Sequence, residues 1–195
     1  MTSVRPHLWF GNNQAAQAAK FYAQHIPNSS VTKVVTAPEG VPGATEGAEF
    51  IVEFTVAGMP AIGLNAGPEF NLDEAFSFYL SVETQDEVDR YWELLTADGG
   101  TPGPCGWRKD KFGVSWQVVP ERLEELCGDY STEANKRAMN AMLQMGKIDI
   151  AALEQAHAGE ERATSSFEDG ALSSTWFVRL GPAAGRPRAG AGTGP

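Results

Sequence analysis

Cysteine, positive charge and long apolar runs are all scarce in this chain, and each shortage excludes a class of protein. Two cysteines, Cys105 and Cys127, are too few for a disulfide framework. The 15 Lys and Arg against 25 Asp and Glu give a net charge of −10, without the basic stripe that a nucleic-acid surface needs. Because no apolar run reaches the length of about eighteen residues expected of a membrane span, a membrane partner is excluded as well.

The remaining composition is typical of a globular protein. Apolar residues make up 42% and charged residues 21% of the 195 residues, enough to bury one core or two small modules that share one. The opening residues, MTSVRPHLWF, lack the apolar stretch of a signal peptide. Together with the scarce cysteine, this predicts a reducing, cytoplasmic location.

One pattern of strand, turn and helix occurs twice, seventy residues apart. Residues 7–25 and 77–95 each begin with an aromatic-rich extended run, pass through polar residues and enter an amphipathic helix. Apolar residues recur in both helices at i, i+3, i+4 and i+7, the spacing of a buried helix face. The matching residues are Ala18, Phe21, Tyr22 and His25 in the first helix and Val88, Tyr91, Trp92 and Leu95 in the second. The repeat predicts two copies of one module.

Each copy is predicted to have the order β-α-β-β-β, which makes the fold class α+β. The predicted elements are strands at 5–10, 31–37 and 77–82, helices at 12–25 and 85–97, and hairpins over 49–67 and 101–119. Thr84 and Glu87 fit a capping box at the start of the second helix. Beyond Pro120 the periodicity becomes helical, and Asp149 is the predicted first cap of the last helix.

The domain organisation follows from these elements. The predicted folded domain is 1–157, with modules at 1–70 and 71–120 and helices over 121–157, followed by a poorly structured extension at 158–195. Residues 181–195 consist almost entirely of Gly, Ala, Pro and Arg, and this composition predicts disorder because it cannot bury enough apolar surface to offset chain entropy.

Three sequence strings carry a resemblance to a known family. They are PHLWFGNNQAAQAAKFY at 6–22, LNAGPEF at 64–70 and CGWRKDKFGVSWQVVP at 105–120. Together with the doubled module, they resemble the PhnB-like branch of the vicinal oxygen chelate superfamily, which also contains glyoxalase I, bleomycin- and fosfomycin-resistance proteins and extradiol dioxygenases. Many members of the branch carry a demethylubiquinone methyltransferase label. The resemblance implies two modules whose sheets curl around a cleft.

The catalytic relatives that this resemblance implies bind a metal through four ligands, one on the first strand and one on the last strand of each module. The corresponding positions here are His7, Asn65, Ser77 and Gln117. Divalent transition metals prefer imidazole and carboxylate ligands, whereas this set has one imidazole, one hydroxyl and two amides. We therefore expect neither a metal nor another cofactor.

Aromatic residues and a cysteine complete the predicted cleft. Trp9 shares a strand face with His7, and Tyr79 shares one with Ser77. The full set of predicted ligand-binding residues is His7, Trp9, Asn65, Ser77, Tyr79, Cys105, Trp107 and Gln117. Because no histidine accompanies Cys105 in the sequence, we predict a structural role for this thiol. Trp116 is predicted to pack under a helix, and residues 109–111 to form a solvated turn.

These observations favour a protein that binds a small molecule in the cleft between modules, and they leave catalysis open. One alternative is a metal-dependent lyase, isomerase or dioxygenase of the glyoxalase superfamily. Another is a drug-sequestering protein of the bleomycin-resistance kind. Methyl transfer lacks the Gly-rich turn between strand and helix that would receive an adenosyl cofactor. Adaptable methionines at 139, 142 and 145 and strand edges that need covering predict a homodimer.

Overall fold

The first module forms a four-stranded sheet with one helix on its side, in a computed structural model that describes residues 2–160. Its elements are β1 (His7–Trp9), α1 (Ala15–His25), β2 (Ser30–Thr36), β3 (Glu49–Val56) and β4 (Met59–Leu64). The strand order is β1-β4-β3-β2, with β1 parallel to β4 and the other pairs antiparallel. The β-branched and alternating runs therefore form the predicted strands.

The second module repeats this topology. Its elements are β5 (Phe78–Val82), α2 (Gln85–Thr96), a 3₁₀ turn (Ala97–Gly99), β6 (Thr101–Pro102), β7 (Trp107–Lys109) and β8 (Ser115–Pro120). The strand order is β5-β8-β7-β6, again with the first and last strands parallel. Strand β6 has two residues because Pro102 and Pro104 lack the N–H that a longer ladder requires. The predicted pair of βαβββ modules is confirmed, as two four-stranded sheets.

Three helices follow the second module and pack against it: α3 (Glu121–Cys127), α4 (Glu133–Met142) and α5 (Ile150–Ala158). As predicted, Asp149 caps α5, accepting a hydrogen bond from the Ala152 N–H at 3.0 Å. The Gln85 side chain of α2 joins this region to the module, because it contacts Ile148 O at 3.1 Å and Ile150 N at 2.9 Å. None of the helices within residues 2–160 combines the length and apolarity needed to cross a membrane.

Each sheet has one side covered by its helix and one open face. Val52, Phe54 and Val56 of β3 are buried on the covered side of the first sheet, as Trp116 and Val118 of β8 are in the second. A Cβ atom added at Gly63 would lie 2.8 Å from the Ala15 side chain, which shows how closely α1 approaches β4. The open faces therefore remain for ligands or partners.

A buried carboxylate joins the two modules, and here the sequence prediction was wrong. Asp110 was expected in a solvated turn, yet its side chain is buried and accepts four hydrogen bonds. Its partners are Tyr22 Oη at 2.6 Å, Trp116 Nε1 at 2.9 Å, Phe112 N at 2.9 Å and Val114 N at 3.0 Å. Burial raises the pKa of Asp110, while these hydrogen bonds oppose the rise. Tyr22 of α1 and Trp116 of β8 pack against each other and both donate to Asp110, which holds its carboxylate in the interior.

The predicted extension falls almost wholly outside the described residues. Its first three residues, 158–160, end α5 and its C-terminal turn, and the segment 181–195 is not described. The methionines at 139, 142 and 145 are partly buried and pack against the core of their own chain. That packing leaves less of their surface for the expected homodimer, which stays a prediction.

Candidate ligand-binding face

Four of the predicted site residues form a continuous strip on the open face of the second sheet. Tyr79 of β5 pairs with Gln117 of β8, and Gln117 pairs with Trp107 of β7. Gln117 Nε2 also donates a 2.9 Å hydrogen bond to Ser77 Oγ. Because side chains of directly paired residues emerge on the same side of a sheet, the strand register brings these residues together. We call these four residues the polar strip.

Glu124 of α3 extends this strip and was missed at the sequence level. The Tyr79 hydroxyl donates a short hydrogen bond to Glu124 Oε1, although Tyr79 is 49% exposed. Partial burial, followed by this hydrogen bond and the nearby carboxylate, raises the pKa of Tyr79. No distinctive sequence motif marks α3. Only the turn at Pro120, where β8 passes directly into α3, carries Glu124 to the strip.

The open face of the first sheet contains a histidine and a tryptophan among aliphatic neighbours. His7 pairs with Ile62 and Trp9 with Leu64 across the β1–β4 ladder, and His7 is exposed. The Trp9 indole N–H donates to Gly67 O at 2.8 Å, and its ring meets Phe70 edge-on at a centroid distance of 5.0 Å. His7 and Trp9 thus share the predicted face, and the Trp9 N–H is already bonded within the protein.

Asn65 does not share that face, so its predicted position was wrong. Leu64, one residue earlier, is the partner of Trp9 and lies on the open side of the sheet. Asn65 is buried on the α1 side, where its Oδ1 accepts from the Ala15 N–H at 2.9 Å and its Nδ2 donates to Glu49 O at 3.0 Å. An offset of one residue moves a strand side chain to the opposite face. Asn65 instead caps the first helix.

With this correction, the four positions implied by the resemblance hold His7, Leu64, Ser77 and Gln117. A divalent ion would find one imidazole, a hydroxyl and an amide, and Leu64 offers no donor atom. Among residues 2–160, no three His, Cys, Asp or Glu side chains lie close enough together to hold a metal ion. The donor set therefore does not fit the metal of the catalytic relatives.

Cys105 occupies the turn before β7 rather than a strand of the open face. Its backbone has a φ of 54°, and its N–H donates to Met145 O at 2.7 Å, which fastens this turn to the segment after α4. Burial raises the pKa of the half-buried Cys105 thiol, the opposite of what a nucleophilic cysteine requires. These features agree with a structural role.

Two tryptophans show how the register sorted aromatic residues. Trp116 is 1% exposed and points to the opposite face of the sheet from its neighbour Gln117. The centre of its ring lies 5.2 Å from that of Tyr22, so Trp116 packs under α1. Trp107 lies on the open face and is partly exposed. The prediction that Trp116 packs under a helix is confirmed.

A small cleft lies elsewhere, beside Asn65. It has a volume of about 180 Å³, below the roughly 300 Å³ that drug-sized ligands usually need. Its lining consists of Asn13, Gly43, Ala44, Thr45, Ala48, Glu49 and Asn65. The oxygen and the nitrogen of the Asn65 side-chain amide are both hydrogen-bonded within the protein, so this residue has little left to offer a ligand there.

Comparison with known protein families identifies the family of this chain. A family model described as 3-demethylubiquinone-9 3-methyltransferase matches residues 2–119, which include both modules. The chain belongs to this family. The predicted PhnB-like branch of the vicinal oxygen chelate superfamily is thereby confirmed. No curated protein matches the PhnB-like chain in sequence.

Several solved structures are similar to this chain. The PhnB protein from Bacillus cereus has 27% sequence identity and a TM-score of 0.53, covering 61% of this chain and 99% of its own. A protein from Pseudomonas aeruginosa has 20% identity and a TM-score of 0.51, with coverages of 62% and 98%. The fosfomycin resistance protein FosX from Listeria monocytogenes is more distant, with 16% identity, a TM-score of 0.43 and coverages of 64% and 97%.

Proposed function

We propose that this PhnB-like protein binds an organic small molecule on the open face of its second sheet, without a divalent metal. One observation carries the proposal: the polar strip presents hydrogen-bonding side chains next to exposed aromatic surface. Ser77, Gln117 and the Tyr79 hydroxyl supply polar atoms, while Trp107 and the Tyr79 ring supply apolar area. Ligand sites commonly combine apolar walls with a few placed polar groups.

The metalloenzyme alternative is disfavoured by the donor set. A metal that activates a substrate in this fold needs charged or imidazole ligands to compete with its hydration shell. His7 is the single strong donor among the four positions, and Leu64 removes one position altogether. We therefore expect ligand binding to survive a chelator.

Methyl transfer, named in the family description, is disfavoured by the two strand-to-helix turns. In the first, Asn12 and Asn65 side chains already accept from the Gln14 and Ala15 N–H groups. In the second, the Thr84 and Glu87 side chains close a capping box. Both helix starts are thus occupied by the protein itself, and neither turn has the Gly-rich sequence that admits a nucleotide-like cofactor.

Calorimetric titration with zinc, nickel, manganese and iron(II) tests the metal-free proposal. We expect binding weaker than micromolar in wild type and no change in His7→Ala. Gln117→Glu is an informative comparison, because it adds a carboxylate at a position where the relatives place a ligand and should strengthen metal binding. Stoichiometric binding tighter than micromolar in wild type, lost in His7→Ala, would restore the metalloenzyme.

Sequestration and turnover are separated by what happens to a captured ligand. Native mass spectrometry of protein purified without chelator or tag metal should show an organic adduct. Recovery of the adduct chemically unchanged after long incubation supports binding alone, of the kind found in drug-sequestering proteins. Its conversion to a product would support an enzyme.

A homodimer in the cytoplasm is our accompanying proposal. Sedimentation at micromolar concentration that shows only a 21 kDa species would contradict the dimer.

A further inference from the structure

We propose that Glu124, with the ring of Tyr79, forms a subsite for a positively charged amine on the ligand. The inference deepens the proposed function and rests on it, since the subsite lies at one end of the polar strip. Glu124 reaches the strip from α3 through the hydrogen bond donated by Tyr79.

The hydrogen-bond directions along the strip leave acceptors facing the open side. Tyr79 donates its hydroxyl proton to Glu124, so its oxygen can only accept a hydrogen bond from a ligand. Gln117 Nε2 donates one of its two protons to Ser77, so its second proton can still be donated and its Oε1 can accept. Ser77 Oγ receives that bond and keeps one proton to donate. At the other end of the strip, the Tyr79 oxygen and the Glu124 carboxylate can only accept, so a ligand group that fits there presents N–H donors.

The charges around the strip also favour a cation. Lys109, on the neighbouring strand, is paired with Glu74 at 2.7 Å. Arg122 of α3 is paired with Glu125 and Glu154, each at 2.8 Å. Both nearby cations are therefore neutralised, whereas Glu124 contacts only the neutral phenol of Tyr79 among its described hydrogen bonds. An anionic ligand would meet the Glu124 charge with no described basic side chain to offset it.

The aromatic groups suit the same ligand class. Ammonium groups are attracted to the faces of aromatic rings, and aromatic residues around a carboxylate form a common cage for amines. Tyr79 is 49% exposed, so its ring surface is available beside the Glu124 carboxylate to which its hydroxyl is hydrogen-bonded. The chain's net charge of −10 would also raise the local concentration of cations.

Three probes of equal shape test the inference: phenethylamine, the neutral 2-phenylethanol and phenylacetate. Binding is followed at low salt by the NMR shifts of the Gln117 side-chain amide and the Trp107 indole N–H. We expect the amine to bind at least about tenfold more tightly than the alcohol, and the carboxylate most weakly. The preference should diminish as salt is added, because screening weakens exposed charge interactions.

Glu124→Gln removes the charge and keeps an acceptor for Tyr79, and it should abolish the preference for the amine while leaving the alcohol unaffected. Glu46→Gln is the matched control, since it makes the same change in net charge at an exposed residue of the first module and should keep the preference. Equal affinity for amine and alcohol in wild type would overturn the amine subsite and leave the proposed function standing. Absence of shifts at Gln117 and Trp107 with all three probes would overturn both.

Discussion

The two modules have the same strand register but differ at the centre of their open faces, where Leu64 of the first corresponds to Gln117 of the second. On the open faces, Trp9, Leu64 and Ile51 of the first sheet correspond to Tyr79, Gln117 and Trp107 of the second. These correspondences follow from the ladders, because each set pairs across the first, last and third strands of its module. The first sheet thus presents apolar side chains beside the exposed His7 and the ion-paired Glu53, and the second presents a polar strip. The comparison teaches that one strand topology can carry different surface chemistry in two modules.

The covered sides differ as well. Val52 and Gly63 of the first sheet correspond to Arg108 and Trp116 of the second. Arg108 is 3% exposed, its guanidinium lies 3.8 Å from the centre of the Trp92 ring, and Nε and Nη1 lack a described partner. Burial lowers the pKa of Arg108 to about 9. Glycine at 63 lets α1 approach closely, whereas Trp116 fills the equivalent space and reaches Asp110.

The strongest way to break the relation between modules is to remove the carboxylate that joins them. Asp110→Ala leaves the Tyr22 hydroxyl and the Trp116 indole N–H buried without an acceptor, and should cost on the order of 3 kcal/mol of unfolding free energy. Urea unfolding measures this. Asp98→Asn, which removes the charge that pairs with Lys111 and keeps a residue suited to the left-handed backbone at this position, should cost less than about 0.5 kcal/mol. Equal losses in both variants would show that Asp110 is not a joint.

The two helix caps sharpen the comparison at intermediate cost. Asn65→Ala removes a buried cap that arrives from fifty residues away and should cost about 2 kcal/mol, because Glu49 O also loses a donor. Thr84→Ala removes an exposed, local cap and should cost about 1 kcal/mol. Denaturant midpoints of the two variants rank the effects. A reversed order would mean that the long-range cap of α1 contributes less than its local counterpart.

Replacing Arg108 by an apolar residue tests the contrast between the covered sides. Arg108→Met removes a buried cation without a carboxylate partner, but it also removes the hydrogen bond to Gly106 O at 2.7 Å and the contact with the Trp92 ring. These effects oppose each other, so the unfolding free energy should change by less than about 1 kcal/mol. Thermal and urea unfolding give the change. Val52→Ala, at the equivalent position, should destabilise by cavity formation and serves as the control. Strong destabilisation by Arg108→Met would show that these two contacts outweigh the cost of burying the charge.

The smallest expected effect concerns Cys105. Because burial raises the pKa of its thiol, reaction with a thiol reagent should be slow at pH 7 and should accelerate only as the pH rises above the ordinary thiol range. Cys105→Ser should leave ligand binding intact. Labelling kinetics followed by peptide mass spectrometry provide the measurement. Rapid, selective labelling of Cys105 well below pH 7 would contradict a structural role.

The sequence alone determined the elements whose signals are local. The repeated apolar spacing predicted both module helices. Thr84 and Glu87 predicted the capping box of α2, because both partners lie within one helical turn. Period-two alternation placed Trp9 with His7 and Tyr79 with Ser77, and the resemblance, counted from the turn glycine at 113, placed Gln117 among the site positions. The family strings identified the fold for the same reason, as contiguous residues.

Tertiary structure alone decided what depends on register and on distant partners. Asn65 and Leu64 are neighbours in the sequence, and only the β1–β4 ladder shows that Leu64 faces outward while Asn65 caps α1. Asp110 looked solvated beside two lysines until Tyr22 and Trp116 arrived from elsewhere in the chain. Glu124 joined the polar strip through the path of α3. Such contacts carry no local pattern, because their partners are brought together by folding.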